Sequence, residues 1–210
     1  MKEIHNQTEI KKPESPRVDA FKEIRSKSEM TLNEARSFIN DLAKEKYYTS
    51  YKERIDRTPE NHGHWEGERG ESMFVPSTDT AEAKAAKEKL AETGQRGIEY
   101  KNGEPDFSKY SEITVKIEHM TENRPQNFEA ADERCADIWK QQNKEGRSDW
   151  DKDEVYNWRC DNHYSWHERC DTKTMDLVPM EIHGFFKHSG GVAECKIRDA
   201  EKSFGGAFDE

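Results

Sequence analysis

Residues 164–191 leave the chain few shapes to choose from. Tyr164-Ser165-Trp166-His167 is strand-like, Cys170 to Lys173 is polar and turn-like, and Thr174-Met175-Asp176-Leu177-Val178 is a second strand. Pro179 suits a helix start, and Met180 to Lys187 can make one or two turns, with Gly190-Gly191 read as the stop. Four of the eight histidines, His163, His167, His183 and His188, lie within 26 residues, three of them inside this strand–turn–strand–helix unit and His163 directly before it. Glu168, Asp171, Asp176 and Glu181 lie among them. A hairpin with a helix folded against it brings the end of its first strand, His167 and Glu168, to face His183. An imidazole beside a metal held by other imidazoles or carboxylates can hydrolyse a phosphodiester. The base takes a proton from water, and the metal stabilises the charge on phosphorus and on the departing oxygen.

The rest of the chain reads as helix with a little sheet. Residues 1–14 are polar and aperiodic and are expected to be disordered. A short helix follows Ser15-Pro16, and Thr31-Leu32-Asn33-Glu34 forms a capping box that opens a helix to about Arg57. Its stripe is Leu32, Ala35, Phe38, Ile39, Leu42, Tyr47, Tyr51 and Ile55. Residues 62–72 read as a glycine-punctuated loop, 81–93 as a helix, 98–100 as a strand into a turn, and 112–119 as a strand. Helices follow at about 126–143 and 151–160. The expected organisation is a helical segment over 1–60, a nuclease-sized domain over 61–198 with its ββα core at about 163–191, and a tail over 199–210.

Composition narrows the partners. Net charge is -10, which argues against coating nucleic acid by bulk electrostatics. The acid is concentrated in residues 61–154, whereas 155–198 hold six basic and six acidic side chains. The C-terminal third is therefore the least hostile surface for an anionic substrate. No apolar run is long enough to span a membrane, and the first residues lack the apolar stretch of an ordinary secretory signal. Four cysteines in 210 residues are too few for a disulfide scaffold, so a reduced compartment is expected. Cys160, His163, His167 and Cys170 have spacings that could suit a structural zinc ion, which offers a non-catalytic alternative: a zinc-stapled binding module.

The segments Tyr164-Ser165-Trp166-His167-Glu168, Lys173 to Pro179, Glu181-Ile182-His183-Gly184 and His188-Ser189-Gly190-Gly191-Val192 resemble the HNH/endonuclease VII superfamily. More narrowly they resemble the WHH-type nuclease domains of bacterial polymorphic toxins. Upstream, Gly67 to Ser72, Gly97 to Phe107, Asn123-Arg124 and Asn127-Phe128 are also similar to such chains. The resemblance implies an α+β protein, mostly helical with a small sheet and a C-terminal ββα-metal core. It implies a DNA-favouring endonuclease that uses Mg²⁺, Mn²⁺, Ni²⁺ or Zn²⁺. It also implies a cognate immunity protein, no membrane association, and action in the cytoplasm of bacterial target cells after delivery by a specialised secretion system. Glu168 stands where a second histidine is usual, and Asp176 where Gln or Asn is usual. Copied literally, the pattern makes His167 a metal ligand and Glu168 the base. The pKa of imidazole instead favours His167 as base, with Glu168 as a ligand or water-positioning group. The catalytic candidates are therefore His167, Glu168 and Asp176, and the metal candidates His183, His188 and Glu168. Lys187 and Arg169 are the candidates for binding substrate.

Overall fold

The computed structural model describes residues 47–205. The tail of 1–14, the helix after Ser15-Pro16, the capping box at Thr31 and the stripe from Leu32 to Leu42 lie outside them. In chain order the elements are α1 (Tyr51–Asp56), β1 (Gly63–Trp65), β2 (Met73–Pro76), α2 (Ala81–Ala91), β3 (Ile98–Lys101), β4 (Glu104–Pro105), β5 (Thr114–Lys116), α3 (Arg124–Gln142), a 3-10 turn at Lys144–Gly146, α4 (Lys152–Asp161), β6 (Tyr164–Glu168), β7 (Thr174–Pro179), α5 (Met180–Phe185) and α6 (Gly191–Gly205). This is an α+β architecture with two antiparallel sheets, β1-β2-β3-β4 and β5-β7-β6.

The hairpin β6–β7 and helix α5 form where the sequence puts them. Strand β6 pairs antiparallel with β7 in the register His167↔Asp176 and Glu168↔Met175. Successive residues of a strand face opposite sides of the sheet. Trp166, Met175 and Leu177 pack with Val115, Ala131, Cys135, Trp139, Trp150, Val155 and Cys195 in one apolar cluster under α3 and α4. Val178 packs into a second cluster with Phe74, Ala86, Leu90, Ile98, Tyr100, Phe107, Ile182 and Phe186. Every residue of β7 is buried, as expected of a central strand covered on both faces.

The first cluster is pinned by one buried ion pair. Arg159 of α4 donates to both carboxylate oxygens of Asp132 of α3, and Trp166 Nε1 donates to the same carboxylate at 2.8 Å. Asp132→Ala would leave the buried guanidinium and indole N–H without their acceptor. It is expected to cost about 3–5 kcal/mol, the usual penalty for orphaning a buried charge. Urea denaturation measures it, and a loss near zero would contradict the assignment.

Three local readings change. The expected helix to Arg57 is not continuous, because residues 47–50 are not helical. Tyr48 and Thr49 give their backbone N–H groups to the buried carboxylate of Glu194, and Ser50 starts α1 afresh with a capping box to Glu53. Residues 62–72 contain β1, which pairs with β2. The helix from Met180 ends at Phe185, and Gly190-Gly191, read as its stop, instead opens α6, which begins at Gly191 and runs on through 199–205, the stretch read as tail.

Candidate active site: three imidazoles against one phenyl ring

Three histidines meet at the seam between the two apolar clusters. His167 comes from β6, His183 from the last turn of α5, and His188 from the loop that leaves it. One nitrogen from each ring lies within 4.8 Å of the others, and among the described residues no other His, Cys, Asp or Glu group assembles this way. The ring centroids are separated by 5.6 Å for His167–His183, 4.7 Å for His167–His188 and 5.5 Å for His183–His188. His167 is 1% exposed, and neither of its nitrogens has a hydrogen-bond partner. His188 Nδ1 lies 2.8 Å from the Phe186 carbonyl oxygen. A carbonyl only accepts, so Nδ1 carries the proton and Nε2 keeps its lone pair.

Burial sets the charge of these rings. It holds His167 well below the usual imidazole range, helped by the neighbouring His188 and His183 rings and by Arg169 and Arg124. Burial likewise lowers His183 to about 3, with His188 and Arg124 contributing. His188 is lowered to about 4 by burial, against the opposing effect of its bond to Phe186. At neutral pH the three rings are uncharged. Two buried His167 nitrogens without a partner, one of them a lone-pair donor in the neutral ring, stand beside two more neutral imidazoles and form a set that fits a divalent transition metal.

Glu168 does not join that group. It is the next residue along β6 and turns to the opposite face. There its carboxylate, 3% exposed, accepts Arg124 Nε at 2.9 Å and Asn127 Nδ2 at 2.9 Å. Asn127 is itself fixed, since its Oδ1 accepts the Thr121 N–H and its Nδ2 donates to the Thr121 carbonyl. Burial raises the Glu168 pKa, opposed by its bonds to Asn127 and Arg124. Asp176 is fully buried and shares a cross-strand position with His167, but its carboxylate is occupied by the fork of Arg169 and by Thr114 Oγ1 at 2.6 Å. Arg169 lines a cavity of about 760 Å³ that also presents Glu71, Glu99, Glu104 and Asp106, an acidic setting. Lys187 is exposed and lines a separate cavity with Met180, Glu181 and Gly184 of α5.

The zinc alternative does not assemble. Cys160 is exposed at the end of α4, whereas Cys170 is buried with Sγ donating to the Ser189 carbonyl. His163 and His167 stand at opposite ends of a strand, roughly 13 Å apart at 3.3 Å per residue.

Two residues at the site were invisible as chemistry in the sequence. Arg124 is the first residue of α3, with a side chain 56% exposed, and among the described residues only its Nε is engaged. Phe107, 1% exposed, lies against all three imidazoles, with centroids 4.9 Å from His167, 6.0 Å from His183 and 5.7 Å from His188. Both sit in segments that carry the resemblance, Asn123-Arg124 and Gly97 to Phe107, and that was their only signal.

No curated protein matches the chain. Residues 97–190 match the family model of the DNase/tRNase domain of colicin-like bacteriocin, a match that supports a nuclease-toxin domain and spans all three histidines.

Proposed function

We propose that the chain is a metal-dependent endonuclease of the HNH type that hydrolyses phosphodiester bonds, with His167, His183 and His188 holding one divalent cation. The observation that carries this is the pair of buried, unpartnered His167 nitrogens facing two other neutral imidazoles. This reassigns His167. A ring whose lone pair is given to a cation cannot also take a proton, so the base role passes to Glu168. Burial raises the pKa of its carboxyl, against the bonds to Asn127 and Arg124 that hold it in one orientation.

The chemistry divides as follows. The cation, when bound, supplies Lewis-acid stabilisation of the phosphoryl and leaving oxygens. Glu168 removes the proton from the attacking water. Among the described residues the two terminal nitrogens of Arg124 have no partner, and they are presented to a non-bridging phosphate oxygen, a match for which guanidinium geometry is suited. Asp176 fixes the hairpin through Arg169 and Thr114 and takes no proton. DNA in preference to RNA, an immunity protein as partner, and delivery into competing bacteria follow from the likeness to toxin nucleases.

Purified protein is expected to nick plasmid DNA with Mg²⁺, Mn²⁺, Ni²⁺ or Zn²⁺, to leave 5′-phosphate and 3′-hydroxyl ends, and to lose all activity in EDTA. Failure to cut either DNA or RNA with any of these ions would overturn the reading.

A further inference from the structure

Ligand imidazoles are ordinarily held by a hydrogen bond from the second ring nitrogen to a carboxylate or carbonyl. Among the described residues only His188 has one, to Phe186. His167 has none, and among the described residues nothing hydrogen-bonds to the ring of His183. What these two rings do share is Phe107, in edge contacts at interplanar angles of 88° and 65°.

Phe107 is itself firmly placed. Its segment extends the β3–β4 ladder, with Asp106 N–H donating to the Glu99 carbonyl at 2.8 Å. Asp106 Oδ1 accepts the Ser108 N–H in a tight turn. The Phe107 carbonyl accepts the N–H groups of Tyr110 and Ser111, and Tyr110 Oη donates back to the Gly97 carbonyl. The ring packs in the second apolar cluster with Phe74, Tyr100 and Ile182. The small four-stranded sheet therefore ends in one rigid aromatic side chain pressed on the imidazoles.

We infer that Phe107 is a positioning residue that sets ring orientation and coordination number at the histidine site, in place of the hydrogen bonds that His167 and His183 lack. The phenyl ring closes one side of the donor set to water, so open coordination positions remain only on the side away from it. This rests on the metal reading above. The chain of causes is short. Removing the ring frees two imidazoles to rotate and admits water to the closed side, which lowers affinity and raises the coordination number.

The test uses Co²⁺ as the probe on the full chain, read by visible absorption and by titration calorimetry. Phe107→Leu keeps apolar volume and removes the ring. It is expected to weaken Co²⁺ binding about 10–100-fold, as loss of ligand-orienting partners does. The d–d bands should also weaken toward those of a six-coordinate ion. Phe107→Tyr should retain most of the wild-type spectrum. Val178→Ala, in the same cluster, controls for destabilisation and should leave spectrum and affinity unchanged. A Phe107→Leu protein with wild-type spectrum and affinity overturns the inference. So does a Val178→Ala protein that loses the spectrum as fully as Phe107→Leu. Should Phe107→Leu fail to fold, a Phe107→Tyr spectrum identical to that of the Val178→Ala protein supports the inference, and loss of the spectrum in Phe107→Tyr overturns it. Absence of Co²⁺ binding by the wild-type chain would instead sink the metal reading itself.

Discussion

Glu168→Gln is expected to bind metal as tightly as the wild type and to cut DNA about 10²–10⁴-fold more slowly, the usual size of a lost general base. Gln keeps the shape that Asn127 and Arg124 grip but has no charge with which to accept a proton. His167→Ala should fail in the opposite way. It should lose metal affinity, and high metal should partly restore its rate. His183→Ala and His188→Ala should behave like His167→Ala, because all three rings present a nitrogen to the same point. Calorimetric metal titration beside single-turnover cleavage rates separates the two patterns. A His167→Ala protein that binds metal normally yet is nearly inactive would restore His167 to the role of base.

Acid should destabilise the metal-free protein well before its carboxylates titrate. The pKa of His183 falls to about 3 in the folded state and that of His188 to about 4, whereas in the unfolded chain both sit near 6.5. Above pH 6.5 both rings are neutral folded or unfolded, so they add no pH dependence. Below it the unfolded chain binds protons that the folded one refuses, so stability falls with falling pH until the folded values are reached. Each ring is expected to remove about 2 kcal/mol between pH 7 and pH 5. Urea midpoints of EDTA-treated protein across this range measure it, and because His167 is lowered as well, His188→Gln should flatten the slope by about a third. A midpoint unchanged from pH 7 to pH 5 would show that the rings are not buried neutral. Bound metal should suppress the same loss, since it competes with protons for the same nitrogens.

The hairpin and the helix after it were legible because alternation and a proline at a helix start are local signals. His167 and Glu168 show where that legibility stops. Strand geometry dictates that the two face opposite sides, but nothing local says which side receives the helix. That choice is made by Trp166, whose burial under α3 and α4 carries Glu168 to the same face and leaves His167 to α5. Gly190-Gly191 misled for a different reason. A Cβ at Gly190 would lie 2.9 Å from the Glu168 carbonyl oxygen, and one at Gly191 would lie 2.5 Å from that of Arg169. The glycines are there for close passage against the end of β6, and α6 begins at the second of them. Strands β1 and β2 are three and four residues long, too short for alternation to be seen. Phe107 could not be assigned from pattern at all, because the rings it touches lie 60 or more residues away in sequence.

Glu194 has a bearing on how such a domain can change hands between proteins. It lies after the matched segment, and the residues it grips, Tyr48 and Thr49, lie before it. Arg54, also upstream, is buried and donates to the Asn102 carbonyl, and Tyr47 Oη reaches Glu104. Phe74, Ala86 and Leu90, which back Phe107 and α5, are upstream as well. A recombination event that carried only residues 97–190 would transfer the imidazoles without the wall behind Phe107 and without the clasp that joins the two flanks. A segment exchanged with this wall and clasp intact therefore includes at least Tyr47 to Glu194, and crossovers between them should be purged however well they spare the histidines.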